Sequence, residues 1–287
     1  MKEVVVLSGK GGTGKTSLVG SFAALAQIAV LADCDVDAAD LDLILNPVIR
    51  QTQELWSSRV AAIDPTRCTQ CGLCQDLCRF GAINNFKVDP VSCEGCGFCF
   101  HVCPSEAVTM KDNMAGHWFV SDTSYGPLVH ARLGIAQENS GKLVAVVRRQ
   151  AKQIAEHEKL NLIISDGPPG IGCPVISSLS GADLALLVTE PTLSGIHDLK
   201  RVLGVCRHFN VSAIVCINKY DINPENTDRI EAFCNSENVA VVARIPYDNV
   251  FTEAMIHGQP VVEYSNGQVS QQIKTLWQEI AQRLTNN

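Results

Sequence analysis

After Met1-Lys2-Glu3 the chain runs through four apolar residues, Val4-Val5-Val6-Leu7, then turns polar and glycine-rich before a helical pattern from Ser17 to Gln27. A short apolar run bounded by turn residues reads as a buried strand, and the spacing that follows it reads as a helix. The alternation returns in the second half. Leu162-Ile163-Ile164, Leu184 to Thr189, Ala213 to Ile217 and Val239 to Ile245 are strand-like runs. Helical patterns run from Leu143 to His157, from about Ser194, and from Val269 to Leu284. In the last of these, Ile273, Leu276, Trp277, Ile280 and Leu284 share one face, which predicts packing on a core. Strands separated by helices predict an α/β fold with a doubly wound parallel sheet, because parallel neighbours need crossover connections.

The pattern breaks in the middle, where cysteine takes over. Cys68, Cys71, Cys74 and Cys78 have the spacing x2, x2, x3, and Cys93, Cys96, Cys99 and Cys103 repeat it 25 residues later. Asp64-Pro65, Gly72 and Ala82 recur as Asp89-Pro90, Gly97 and Ala107, so one supersecondary unit is used twice. Three thiolates in close succession wrap one corner of a [4Fe–4S] cubane, and the fourth of each run reaches the other cluster. The expected sets are Cys68, Cys71, Cys74 and Cys103 for one cluster, and Cys93, Cys96, Cys99 and Cys78 for the second. Zinc sites use Cys-x2-Cys pairs rather than such triplets. Pro104 follows the second run, but Arg79 stands at the equivalent place in the first, setting an exposed cation beside one cluster and raising its expected potential. The module spans 60–112 and interrupts the α/β domain, which is formed by 1–59 and 113–287. It is too small to bury a firm core alone, so cluster binding is expected to supply much of its folding energy.

The polar stretch after Leu7 carries further chemistry. Gly9-Lys10-Gly11-Gly12-Thr13-Gly14-Lys15-Thr16, followed by Ser17, fits the phosphate-binding form G-x4-G-K-[ST] between a strand and a helix. Its backbone N–H groups and the helix N-terminus favour phosphate. Lys15 is expected on the β- and γ-phosphates and the Thr16 hydroxyl on Mg²⁺. The extra Lys10 makes the loop resemble the deviant Walker A motif of the MinD/ParA/Mrp and nitrogenase iron protein superfamily. That resemblance implies that Lys10 reaches the partner's phosphates across an ATP-dependent homodimer. Val30 to Asp42 resembles the family's second strand and switch I, with Asp35 at the position that handles attacking water; Asp37 and Asp40 read equally as loop caps. Leu162 to Gly170 resembles the Walker B strand and switch II, with Asp166 holding Mg²⁺ through water and Gly167 and Gly170 letting the loop respond to the γ-phosphate. Asn218-Lys219-Tyr220-Asp221 sits where the family contacts the base, but also fits the Asn-Lys-x-Asp form that reads guanine, so ATP is favoured and GTP stays open. Pro246 opens a loop resembling the family's base-flanking segment.

Some residues have two readings. Cys173 follows switch II at an offset similar to that of a cysteine in the nitrogenase iron protein, which implies a third, subunit-bridging cluster; an unligated thiol is the alternative. Cys206, Cys216 and Cys234 lie in apolar patterns and read as core thiols. Glu138 to Lys142 leads into an amphipathic helix with Ser140 as its N-cap, in a segment between the clusters and switch II in sequence. The formal charge of −7 without a basic stripe disfavours nucleic-acid binding. No run suits a membrane helix or a signal peptide, and the C-terminal helix has only Lys274 and Arg283 as cations, so a cytoplasmic protein without stable membrane insertion is expected. Three ends fit a Mg-ATP hydrolase with clusters: assembly or delivery of a metallocluster to a recipient, ATP-gated electron donation to a redox partner, or MinD/ParA-like spatial organisation with redox-sensing clusters.

Overall fold

The computed structural model describes residues 1–134 and 140–286. In chain order the elements are β1 (Lys2–Ser8), α1 (Lys15–Ala26), β2 (Val30–Asp33), α2 (Leu41–Leu45), β3 (Val48–Ile63), α3 (Leu73–Asp76), β4 (Ile83–Asn84), β5 (Lys87–Val88), α4 (Phe98–Val102), β6 (Val108–Thr123), β7 (Gly126–Leu133), α5 (Ser140–Glu158), β8 (Leu162–Pro169), α6 (Cys173–Leu179), β9 (Leu184–Thr189), α7 (Leu193–His208), β10 (Ser212–Asn218), α8 (Pro224–Ser236), β11 (Val241–Ile245), α9 (Val250–Ile256), α10 (Val261–Tyr264) and α11 (Gln268–Asn286). They form two compact units. The first comprises Met1–Thr52, Trp118–Arg132 and Gly141–Asn287, the second Gln53–His117 and Leu133–Ser140. The second unit is thus wider than 60–112, because the long strands β3 and β6 each contribute residues to it.

The sheet order is β11-β10-β9-β1-β8-β2-β7-β6-β3. The pairs from β11 through β7 are parallel. β6 joins β7 through the short turn Ser124-Tyr125, so this side of the sheet departs from the all-parallel expectation. Alternate residues of β1 serve opposite faces. Val4 and Val6 pack with Leu18, Phe22, Ile273 and Leu276; Val5 and Leu7 pack with Val175, Leu199, Val202 and Ile230. A strand covered on both faces must be apolar throughout, which is why Val4 to Leu7 shows no alternation. Each such side chain contributes about 1.5–3 kcal/mol on full burial. In α11, Ile273, Leu276, Ile280 and Leu284 are buried, and Trp277 stacks on Phe22 with centroids 5.4 Å apart. The expected apolar face of this helix is therefore in the core.

One polar cluster crosses this core. Arg148 of α5 forms two hydrogen bonds to the Glu3 carboxylate, at 2.8 and 2.6 Å, and Ser165 donates to Glu3 at 2.9 Å. The remaining guanidinium nitrogen donates to the carbonyls of Ser177 and Ser180, both at 2.7 Å, at the C-terminal end of α6. A buried charge pair is tolerable only when its donors and acceptors are filled in this way.

The second unit repeats itself in conformation as well as in sequence. Gly72 and Gly97 cap α3 and α4 with φ of 83° and 74°. Gln70 and Gly95 share the left-handed region (φ 56° and 65°), as do Gly81 and Glu106 (63° and 50°). The halves interlock: Asp64 N–H donates to Ala107 C=O and Asp89 N–H to Ala82 C=O, both at 2.8 Å. The start of each half is tied to the end of the other.

Candidate functional site

The loop from Ser8 to Gly14 turns the end of β1 into α1. Gly14 caps the helix with φ 86°, and a side chain there would drive Cβ to 2.5 Å from the Asn218 amide nitrogen. Lys15 is buried and its Nζ lies 2.6 Å from Asp166 Oδ1 and 3.6 Å from Asp35 Oδ2. Burial alone pulls the ammonium down, but Asp166 and Asp35 outweigh it and hold its pKa above the usual lysine value. A cavity of about 360 Å³ lies in front, lined by Thr13, Lys15, Thr16, Asp35, Asp40 and Pro168 among others. Gly11, Gly12, Gly14, Ser17 and Asp37 also line it. Asp166 Oδ2 and Thr13 Oγ1 are buried without a hydrogen-bond partner. Asp166 stands behind Lys15, which lines the cavity, and its orphaned carboxylate oxygen together with the Thr16 hydroxyl makes an oxygen donor set of the kind Mg²⁺ or its water takes.

Asp33, which the motif reading passed over, organises switch I. Its Oδ1 accepts the Asp35 N–H at 3.1 Å and its Oδ2 the Leu41 N–H at 3.3 Å. Burial and the nearby Asp166 push its pKa well up. Burial also raises that of Asp35, against the pull of Lys15. The signal for Asp33 was a carboxylate ending an apolar strand, the same signal that marked Asp166.

Lys10 lies against its own chain. It is ion-paired with Glu190, and its Nζ donates to Thr192 Oγ1 at 3.3 Å and Ser194 Oγ at 3.4 Å. Lys219 shares Glu190 at 3.3 Å and donates to Gly12 C=O at 3.0 Å. Burial pushes the Glu190 carboxyl up, but the two lysines prevail and hold it below its usual range. Asn218 donates to Thr13 C=O at 2.8 Å. Asp221 accepts the Tyr247 N–H at 2.7 Å, tying the loops after β10 and β11, and Pro246 precedes that amide. Of the four expected base contacts, Asn218 and Lys219 brace the phosphate loop, Asp221 and Pro246 lie where the loops after β10 and β11 meet, and none of the four is in the cavity lining. Gly9 packs on α7, where an added Cβ would stand 2.2 Å from Asp198 Cβ. Gly167 differs from its expected role: it lies within β8, and an added Cβ would stand 2.4 Å from Leu7 Cδ2, so it serves close packing, while Gly170 has φ 93° and open space around it.

In the second unit the thiols gather around two cavities. One, of about 220 Å³, is lined by Cys78, Cys93, Cys96 and Cys99, with Cys74 also reaching it. The other, of about 10 Å³, is lined by Cys68, Cys71, Cys74 and Cys103. Each fourth cysteine stands with the triplet of the opposite half. Sulfur atoms also receive backbone donors, from Ala61 N–H to Cys93 at 3.5 Å and from Ala107 N–H to Cys103 at 3.3 Å. Among the described residues no group of three or more His, Cys, Asp or Glu closes around a single metal ion. Cysteine sulfur alone makes up each donor set, which is the chemistry of an iron–sulfur group or of a soft metal ion.

Cys173 is exposed at the start of α6. Cys206, Cys216 and Cys234 are buried, with pKa values pushed by burial to about 12, 12 and 11. Burial likewise raises the Cys34 thiol strongly, which makes it an inert core group. Ser140 is the first residue of α5 rather than its cap; Glu138 and Asn139 lie outside the described residues. No helix among the described residues is long and apolar enough to cross a membrane.

The sequence profile described as the CobQ/CobB/MinD/ParA nucleotide binding domain matches residues 4–261. An uncharacterized protein of Methanocaldococcus jannaschii is 32% identical over 281 residues, covering 97% of this chain and 96% of its own. A homolog of the cytosolic Fe-S cluster assembly factor NUBP1 from Brugia malayi is 26% identical over 141 residues, 42% of this chain and 46% of its own. The solved structure of the septum site-determining protein MinD from Pyrococcus horikoshii, complexed with Mg-ADP, is similar with a TM-score of 0.60 at 19% identity, covering 97% of this chain and 95% of that one. The last likeness is one of fold. The profile match spans β1 to α10 and with them the whole phosphate loop, both switch aspartates and the loops that brace them. The chain therefore belongs to the CobQ/CobB/MinD/ParA family of P-loop nucleotide-binding proteins.

Proposed function

We propose that this chain is a Mg-ATP-dependent, dimerising ATPase that holds two [4Fe–4S] clusters and acts in the assembly or delivery of a metallocluster. The observation that carries the proposal is the pairing, in one chain, of a lysine–carboxylate phosphate site with two cavities lined by five and four thiols, Cys74 being shared. The partial likeness to a cluster assembly factor points the same way. The Mg-ADP bound in the MinD structure of similar fold supports adenine, as does the Tyr247 N–H that already occupies one oxygen of Asp221; GTP is the alternative nucleotide.

Phosphate oxygens of the nucleotide replace the carboxylates around Lys15. Thr16 and Asp166 would hold Mg²⁺, which would offset the phosphate charge, and Asp35 would orient the attacking water. Lys10 leaves Glu190 to meet the phosphates of a second copy. Cys68, Cys71, Cys74 and Cys103 hold one cluster, and Cys78, Cys93, Cys96 and Cys99 the other; when bound, these groups supply one-electron chemistry. Cys173, exposed on α6, is open to a subunit-bridging cluster in the closed dimer. The protein acts in the cytoplasm without nucleic acid.

The test is transfer. Anaerobically purified protein should contain about eight iron and eight sulfide per chain. With Mg-ATP and an apo-ferredoxin as acceptor, iron and sulfide should pass to the acceptor faster than without nucleotide. Clusters retained through many ATP turnovers, with electrons appearing on the acceptor side instead, would replace delivery by ATP-gated electron donation. That second reading is favoured by the completeness of both thiol sets, and it keeps the same site residues.

A further inference from the structure

The two thiol sets are unequal, and the difference lies in what surrounds them. The cavity of Cys78, Cys93, Cys96 and Cys99 is rimmed by Leu77, Arg79, Phe80 and Phe98. Leu77, Phe80 and Phe98 are 45%, 40% and 51% exposed, a surplus of apolar surface that nothing in this unit requires. The places equivalent to Arg79 and Phe80 in the second half are Pro104 and Ser105, which line the other cavity. Ser105 Oγ lies 3.6 Å from Cys103 Sγ, a polar contact where the first half has an aromatic ring. Leu73, the counterpart of Phe98, is 39% exposed and lines that second cavity with Phe86, so the halves differ at Arg79-Phe80 and not around the whole rim.

Arginine is also placed differently on the two sides. Arg67, next to Cys68, is ion-paired with Glu106 at 3.4 Å, and Arg59 with Asp112 at 3.2 Å. Arg79 instead lies over the Phe80 ring, 5.5 Å from its centroid. Glu94 is the one carboxylate among the residues that line the same cavity. A guanidinium stacked on an exposed aromatic, among further apolar side chains, is the composition of an interface centre rather than of ordinary surface.

The geometry points to the Leu77–Arg79–Phe80–Phe98 rim as the docking face through which this unit exchanges electrons with a one-electron carrier protein of acidic surface, by way of the Cys78, Cys93, Cys96 and Cys99 set. Arg79 selects the partner's charge, and Leu77, Phe80 and Phe98 exclude water from the contact. One electron crosses per encounter; this chain loses it, the carrier gains it, and no bond or proton moves. The inference rests on the cluster reading proposed above and is neutral between delivery and electron donation.

Two small oxidants of opposite charge serve as probes: the anionic cobalt(III)–EDTA complex and the cationic hexaamminecobalt(III) ion. Each takes one electron from the dithionite-reduced protein, and the bleaching is followed by stopped flow. Arg79→Glu should slow the anionic oxidant and speed the cationic one, changing the ratio of the two rates by about tenfold at low salt and far less at 0.5 M salt, where screening is short-ranged (~10 Å falls to a few Å). Arg67→Glu, beside the other set, should leave the ratio near its starting value. A larger response at Arg67, or equal responses at both, would overturn the assignment. Iron and sulfide are measured in every variant. Parent protein lacking both would sink the cluster reading itself, and loss confined to Arg79→Glu moves the test to Arg79→Gln, for which half the change in ratio is expected and an unchanged ratio overturns the proposal.

Discussion

Glu190 holds two lysines, and only one of them belongs to the signature loop. Its pairing with Lys10 competes with any reach of Lys10 to a second copy. Glu190→Gln should therefore favour the ATP-bound dimer, by about two- to fivefold in dissociation constant, since a partly exposed pair is worth about 0.5–1 kcal/mol. Sedimentation velocity with a non-hydrolysable ATP analogue measures this; an unchanged or weaker dimer would show that the pairing is not in competition. A second single-residue prediction concerns Gln70 and Gly95, which repeat one left-handed position. An added Cβ at Gly95 would stand 2.1 Å from the Arg59 carbonyl oxygen, so Gly95→Gln should lose stability by more than about 2 kcal/mol, while Gln70→Gly should be neutral or favourable by about 1 kcal/mol. Urea denaturation of the loaded protein would distinguish the two. His130 supplies the pH dependence. Burial depresses its pKa below the ordinary 6.5, helped by Arg132 and opposed by Asp42. The contribution is complete above 6.5 and is lost as pH falls toward the depressed folded value, because only the unfolded chain takes up the proton readily there. His130→Gln should flatten that acid limb in a series of melts from pH 7.5 to 5.

At the scale of elements, α5 is the piece whose role was hidden. Its amphipathic pattern was visible, but the partner of Arg148 was not, since Glu3 lies 145 residues away. The side chain joins β1, α5 and the end of α6, the helix that follows switch II. Arg148→Met should cost about 3–5 kcal/mol by leaving the buried Glu3 with the Ser165 hydroxyl and the weaker, 3.5 Å pairing of Lys152. Double replacement with Glu3→Gln should recover part of the loss; no recovery would mean that the carbonyls of Ser177 and Ser180 set the cost. The strands that carried legible signals were those covered on both faces, such as Val4 to Leu7. β6 was missed because Val108–Thr123 mixes buried and exposed positions over a long stretch, β3 because among its described residues only Ala61 is buried, and β7 because Pro127 and His130 interrupt the apolar pattern of its buried run. Lys15 and Asp166 were legible from local motifs. Asp33 and Glu190 were not, since their roles depend on backbone amides and on lysines brought in from elsewhere.

For the whole molecule, the two units draw on different sources of stability. The nucleotide unit has two apolar clusters packed on its sheet. The cysteine unit has few fully buried side chains, among them Ala82, Ile83, Ala107 and Val108. Stripping iron with a chelator under reducing conditions should therefore open 53–117 to protease while the nucleotide unit keeps its melting transition. Equal resistance before and after chelation would show that the unit folds without metal.

The interlock of Asp64 with Ala107 and Asp89 with Ala82 bears on how far the unit can be divided. Because each thiol set borrows its last member from the opposite half, a lone half-unit owns no complete set. Two identical half-length peptides could complete both sets only by exchanging tails, so a half made alone is expected to take up metal as a symmetric pair or not at all. In the intact chain the two halves share one polypeptide and differ in sequence, as at the Arg79-Phe80 pair opposite Pro104-Ser105.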